Sequence, residues 1–351
     1  MNQFLPENYK KFFTTGWRLT GLNASFLMGG TYAKANILIT SRANAGDTFI
    51  QKSKEVNCLK AGVKLFGHKE KYDQYMADFQ NYVRESEQTV VKKYQVKRKS
   101  LTRKEVEIDL YTIGKLWYYY GMLEFPYMDM AYEIAERENN GSMRERLNEA
   151  SRYKFRAREL MNQYFFDGGT MENLSSSIAE QFHFDSSETL FIDEMLGLFD
   201  GNRLTDTIVR QRKECYAVTI VDGTIIKFDF ETAKKLNETF THIEQTLIFK
   251  GTVAQRGYAR GKALVLPMMR NHEEIAELDK RMRKGDILIA ETTSPDIMSL
   301  CHKAAAIVTD QGGMLSHAAV ISREFGIPCV IGTNRATKIN EYSSRQAARY
   351  L

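Results

Sequence analysis

The sequence predicts a multidomain α and α/β protein. A mostly helical N-terminal domain (residues 1–245) is followed by a smaller domain of strands and helices (residues 246–351). Three observations carry this. Aromatic and apolar residues recur at three- and four-residue steps from Tyr72 to Val83. Two β-rich runs flank Asp222-Gly223. Near the C-terminus an apolar run, a glycine pair and a short helical segment follow one another.

From about residue 45 to 200 the text is helical. Tyr72, Tyr75, Met76, Phe79, Tyr82 and Val83 form one amphipathic stripe. Ile108, Tyr111, Leu116, Tyr119 and Leu123 predict a second, which ends or kinks near Phe125 because Pro126 follows. Met143–Phe166 is a third amphipathic segment. Ser186-Ser187-Glu188 marks a helix start, and Gly201-Asn202 its stop. The texture changes near residue 208. Tyr216–Val221 and Thr224–Phe230 read as a β-hairpin (about 216–230), with a short helix over Glu231–Thr241.

Composition sets outer bounds. The 351 residues hold two cores with ease, and 43% are hydrophobic, as in ordinary globular proteins. The net charge of +5 is small and spread out, which weighs against nucleic acid as partner. The basic runs Lys92–Lys99 and Lys280–Lys284 read as solvated faces. Cys58, Cys215, Cys301 and Cys329 lack CxxC spacing and read as buried, reduced thiols of a cytoplasmic protein. No signal-peptide pattern opens the chain. Leu22–Thr40 is apolar, but Asn23, Lys34 and Asn36 make it too polar to span a bilayer. His68, His183, His242, His272 and His302 show no metal-ligand spacing to one another, so no metal site is expected. Trp117-Tyr118-Tyr119-Tyr120 reads as helix–helix core, with an acceptor pocket as the alternative.

The chemistry concentrates between Ala304 and Pro328. Ala304–Val308 reads as a buried strand and Thr309–Gly313 as the turn leaving it. Ser316 is a good N-cap, and Ala318–Phe325 a short helix closed by Gly326. His317 then stands at the helix N-terminus, where backbone N–H groups and the dipole favour an anion and the neutral, nucleophilic imidazole. Gly312 and Gly313 let further N–H groups approach that anion. Arg323 offers a cationic fork, although six residues is a poor same-face spacing. The pattern predicts a histidine that carries a phosphoryl group, with Thr309, Gly312, Gly313, Ser316 and Arg323 around the phosphate.

Gly312-Gly313-x-x-Ser316-His317-Ala318-Ala319, with Arg323 and Gly326–Thr333, resembles the phosphohistidine swivelling domain of phosphoenolpyruvate-utilising enzymes. These include phosphoenolpyruvate synthase, pyruvate phosphate dikinase and rifampicin phosphotransferase. Gly251-Thr252, Gly257–Ala263, Gly285–Ala290 and Thr293–Asp296 fit the same resemblance, which covers roughly residues 249–337. It implies a β/β/α swivelling fold, phosphorylation of His317, and transfer between a nucleotide site and an acceptor site. It also implies ATP and Mg²⁺ for the complete reaction. No segment here resembles an ATP-grasp domain, so both are expected on a partner domain or subunit. The implied partners are that ATP-grasp partner and a small-molecule acceptor. The sequence departs from the family at Leu315, where many relatives carry Thr. It departs again after Lys338, where a polar tail replaces the usual final strand. A non-catalytic interaction scaffold with a remnant histidine domain stays open as the alternative.

Overall fold

The computed structural model describes residues 4–15, 20–29, 35–42, 45–123, 125–165, 169–241, 249–266, 272–293, 297–314, 316–333 and 336–338. Two compact units form, one built chiefly on residues 17–241 and the other on residues 242–351.

The chain opens with β1 (Tyr9–Thr15), α1 (Gly21–Gly29), β2 (Ile37–Arg42) and β3 (Ala45–Gln51). Helices follow: α2 (Lys52–Gly67), α3 (Lys69–Ser86), α4 (Arg103–Gly121), α5 (Phe125–Arg137), α6 (Gly141–Phe165), α7 (Thr170–Phe182), α8 (Ile192–Gly197) and α9 (Asp206–Glu214). The hairpin β4 (Cys215–Val221) and β5 (Thr224–Lys227) leads into α10 (Phe230–Thr241). One five-stranded sheet runs β1-β3-β2-β4-β5, with β2 antiparallel to both β3 and β4.

That sheet adds β1, β2 and β3 to the one hairpin expected in this region, and the helical stretch expected from about residue 45 begins at Lys52. Ile37, Leu38, Ile39 and Thr40 are all fully buried. A strand buried on both faces gives a continuous apolar run instead of an alternating one, so its period stays hidden. The predicted stripe on α3 is buried at every position. The stripe on α4 is not: Ile108 is 54% and Tyr111 67% exposed, while Val106, Leu110, Ile113, Leu116 and Tyr120 face the core. This helix carries apolar residues on more than one face, so spacing alone took in two exposed positions beside the buried Leu116 and Leu123. Its end is Gly121, and Pro126 falls in the first turn of α5, where a missing N–H costs nothing. Ser187–Thr189 is a single 3₁₀ turn, and the helix begins later, at Ile192.

The hairpin stands where Asp222-Gly223 placed it. Both turn residues have positive φ, +47° and +84°, as a tight two-residue turn requires. Its second strand ends at Lys227, short of Phe230. Most of the aromatic patch packs on the bundle core, Tyr119 stacking on Phe79 at 5.1 Å and Trp117 packing against Phe165 at 5.8 Å, while Tyr118 is 54% exposed. Small side chains on α2 bring α5 close, and a Cβ at Gly62 would stand 1.6 Å from the Tyr127 carbonyl oxygen.

The smaller unit holds β6 (Thr252–Gln255), β7 (Ala263–Leu266), α11 (His272–Arg281), β8 (Ile287–Ala290), α12 (Met298–Lys303), β9 (Ala306–Thr309), α13 (His317–Phe325) and β10 (Cys329–Ile331). Its sheet runs β6-β10-β9-β8-β7. Strands β7, β8, β9 and β10 are parallel, and β6 pairs antiparallel with β10. Strand β9 starts two residues later than expected and takes in Thr309, because Thr309 still pairs with Ala290 of β8. The four cysteines are buried. Among the described residues, no helix is long and apolar enough to cross a membrane. Leu315 and the tail after Lys338 lie outside the described residues.

Candidate functional site

The site forms where two neighbouring parallel strands end. In open α/β sheets, ligands gather beyond the carboxyl ends of the strands. Here β8 and β9 both deliver loops to that edge, and hydrogen bonds fasten the loops together. Asp310 N–H donates to the Ala290 carbonyl at 3.0 Å, and Gln311 N–H to the Glu291 carbonyl at 2.9 Å. The Gln311 amide also donates to Glu291 Oε1 at 2.6 Å.

Asp310 is buried and anchors the segment after β10. Its carboxylate accepts from the Thr333 hydroxyl at 2.7 Å and from the backbone N–H of Ala336 and Thr337. Thr309 Oγ1 donates to the Gln311 carbonyl at 2.6 Å, so this predicted phosphate ligand braces the turn from within.

The turn then needs a glycine. Gly312 has φ +119°, and a Cβ there would lie 2.8 Å from Ser316 Oγ. The Ser316 N–H donates to the Gly313 carbonyl at 2.9 Å and closes the loop. Ser316 is the N-cap of α13, its Oγ accepting from Ala319 N–H at 3.4 Å. His317 is the first helical residue, as expected, and Gly326 ends the helix with φ +64°. The buried side of α13 is Ala318, Ala319, Ile321 and Ser322, small enough to seat the helix closely on the sheet.

The His317 ring is half-buried, and its Nδ1 lies 3.0 Å from Thr293 Oγ1 on the β8 loop. Thr293 is buried, so the hydroxyl is a fixed partner for the imidazole. Arg323 points back to the loop: its guanidinium donates to the Met314 carbonyl at 2.9 Å. Thus Thr309, Gly312, Gly313, Ser316 and His317 share one loop and helix start, and Arg323 holds that loop from the next turns of α13.

Sequence reasoning named Thr293 only within the resemblance and Asp310 and Gln311 only within the turn, and gave neither these nor Glu291 a place at the site. Their signal was the adjacency of two strand exits, which needs the sheet order. Among the described residues, the side-chain oxygens of these loops include the Thr293 and Thr309 hydroxyls and the Glu291 and Asp310 carboxylates, each already in a hydrogen bond. Mg²⁺ asks for near-octahedral oxygen ligation and retains several waters, and this set does not fit it. Among the described residues, no group of three His, Cys, Asp or Glu residues could hold a metal ion.

Residues 282–346 match the family described as PEP-utilising enzyme, mobile domain. A phosphoenolpyruvate synthase from Pyrococcus furiosus is 46% identical over 95 residues, covering 27% of this chain and 11% of that protein. A probable phosphoenolpyruvate synthase from Methanothermobacter thermautotrophicus is 37% identical over 123 residues, 34% of this chain and 17% of that protein. A phosphoenolpyruvate synthase from Pseudomonas aeruginosa is 41% identical over 90 residues, 26% of this chain and 11% of that protein. The matched part is thus between 11% and 17% of these relatives' length. The C-terminal region of the chain is similar to the mobile domain of phosphoenolpyruvate-utilising enzymes.

Proposed function

We propose that this chain is a phosphoryl-carrier component of a phosphotransferase like phosphoenolpyruvate synthase and the dikinases. His317 takes a phosphoryl group at a nucleotide or phosphoenolpyruvate site on another domain or subunit and passes it to a small-molecule acceptor. The observation that carries the reading is the placement of His317 as first residue of α13, with Nδ1 against Thr293 Oγ1.

With Nδ1 as donor to Thr293, the lone pair rests on Nε2, the nucleophilic nitrogen. The Nε2–phosphorus bond forms as the bond to the leaving oxygen breaks. An acceptor oxygen later attacks phosphorus, and the imidazole leaves with its electron pair. Outward-pointing N–H groups of the first turn of α13 and of the Gly312-Gly313 turn meet the phosphate oxygens. Arg323, tied to the Met314 carbonyl, keeps that turn in place. ATP and Mg²⁺ belong to an ATP-grasp partner in the same cytoplasm.

The test is the intact mass of the protein from its native cells, before and after mild acid, beside His317→Ala. The expected result is an acid-labile gain of one phosphate that the variant lacks. Equal incorporation in the variant would sink the reading. No gain, even with ATP, magnesium and native lysate, would favour a scaffold with a remnant histidine domain.

A further inference from the structure

The larger unit holds a cavity of about 580 Å³ beside the open end of the β4–β5 hairpin. Small-molecule sites occupy roughly 300–1,000 Å³ and place a few polar groups among apolar walls. Here Phe191, Ile208, Tyr216 and Phe228 give the apolar wall. Arg212 and Lys227 add two cations, and Asp229 and Glu231 two carboxylates.

The cations are held in advance. Both donate to the Glu194 carboxylate, Arg212 Nη2 at 2.8 Å and Lys227 Nζ at 2.9 Å. Both also lie over the Phe191 ring, at 4.9 and 4.8 Å from its centre. Among the described residues, Arg212 and Lys227 line the cavity, while their counter-ions Glu194 and Asp193 stand outside its wall. Lys227 bonds Asp193 as well, but that side chain is 70% exposed. An ion pair so open to water contributes little and yields to a competing carboxylate.

The two wall carboxylates stand at the start of α10, both exposed. Asp229 is kept there by Thr232, whose N–H and hydroxyl it accepts at 2.9 and 2.8 Å. A plain anion in this cavity would meet Asp229 and Glu231, and a plain cation would meet Arg212 and Lys227. A molecule bearing both charges satisfies both pairs.

We infer that this cavity binds a small zwitterion with an apolar or aromatic body, the chemistry of an aromatic α-amino acid. Its carboxylate meets Lys227 and Arg212, its ammonium meets Glu231 and Asp229, and its ring lies against Phe191 and Phe228.

Calorimetric titration of the full chain with L-phenylalanine, 3-phenylpropionate and 2-phenylethylamine tests this. Saturable binding of phenylalanine is expected, with each singly charged analogue weaker by about tenfold or more, since each leaves one charge pair of the wall unanswered. Glu231→Gln, an exposed change, should erase the preference for phenylalanine over phenylpropionate. Ile208→Trp, on the solvent side of α9, should fill the cavity and abolish binding with an unchanged unfolding midpoint. Equal affinity for all three probes would overturn the inference. So would no saturable heat at about 10 mM, or unaltered binding in both variants.

Discussion

The two units spend their polar groups differently. The bundle of the larger unit is filled with tyrosines, and several of their buried hydroxyls find partners inside. Tyr82 donates to the Thr112 carbonyl at 2.8 Å, Tyr94 to Asp109 at 2.6 Å, and Tyr72 to Glu149 at 3.1 Å. Burial pushes the phenols of Tyr72, Tyr82 and Tyr94 upward, so they stay neutral donors. The core of the smaller unit is aliphatic, with Ile287, Leu288, Ile289, Ala306, Ile307 and Val308 buried in its sheet. Its polar side chains collect in the loops beyond β8 and β9, around His317. In the bundle, polar groups specify packing. In the sheet unit, apolar residues pack the sheet, and the buried Thr293, Asp310 and Thr333 lie in the loops beyond its strands.

Breaking one unit without the other is the sharpest test of that contrast. Gly62→Ala should have the largest effect. The new Cβ would need the place of the Tyr127 carbonyl, 1.6 Å away, so α2 and α5 must part. Overpacking of this kind costs about 3 kcal/mol or more when backbone must move. Thiol labelling through a urea series reads the two units separately. Cys58 and Cys215 report the larger unit, Cys301 and Cys329 the smaller, and all four are buried. Burial pushes the Cys329 thiol up to about 11, so it reacts near neutral pH only when opened. In Gly62→Ala, Cys58 and Cys215 should label at lower urea while Cys301 and Cys329 keep their midpoint. A shift of all four together would mean the units melt as one.

Acid should divide the units next. Burial alone would raise the Glu194 carboxyl, but bonds from Arg212, Lys227 and the Phe191 N–H win and hold it at about 2, against 4.5 for an ordinary glutamate. The unfolded chain takes up the proton first. The stabilisation is therefore complete above about pH 4.5 and fades as the pH falls through about 2. Between about pH 6 and pH 3 the larger unit should lose about 2 kcal/mol, and Glu194→Gln should remove that slope. In the smaller unit the Lys303 bond likewise lowers Asp279, but at the surface, so its labelling midpoint should move less.

These contrasts also explain what could be read in advance. The α3 stripe was legible because every apolar residue at its helical step is buried. In α4 the exposed Ile108 and Tyr111 competed with the true inner face, and only the packed neighbours decide between faces. Strand β2 was hidden by burial on both sides. The loop from Thr309 to Arg323 was legible because cap, glycine turn and histidine are consecutive in the chain. Thr293 lies 24 residues before His317, and only the pairing of β8 with β9 brings them together.

Gly312→Ala should then act on the smaller unit alone. Its φ of +119° strains any side chain, and the added Cβ would crowd Ser316 Oγ at 2.8 Å. A loss of about 1–3 kcal/mol is expected for such backbone strain. Because the turn carries the start of α13, phosphate uptake at His317 should fall along with the labelling midpoint of Cys329. A full midpoint with lost uptake would place the strain in the loop alone and leave the sheet untouched.

The smallest effect compares two helix starts. At α4, Thr102 Oγ1 accepts from the Glu105 N–H at 3.3 Å, and Glu105 returns the bond by accepting from the Thr102 N–H at 2.9 Å. Ser316 at α13 makes a single bond of 3.4 Å to Ala319 N–H with no return. The reciprocal pair satisfies two backbone donors where the single cap satisfies one. Thr102→Ala should therefore cost the larger unit about 1 kcal/mol, and Ser316→Ala the smaller unit about 0.5 kcal/mol. Chemistry should invert that ranking. The Ser316 hydroxyl borders His317, so its removal should shorten the lifetime of the phosphohistidine while barely moving the Cys329 midpoint. Thr102→Ala should leave that lifetime unchanged. If Ser316→Ala keeps the lifetime of the parent protein, the hydroxyl is a helix cap only, and the phosphate is held by backbone N–H groups alone.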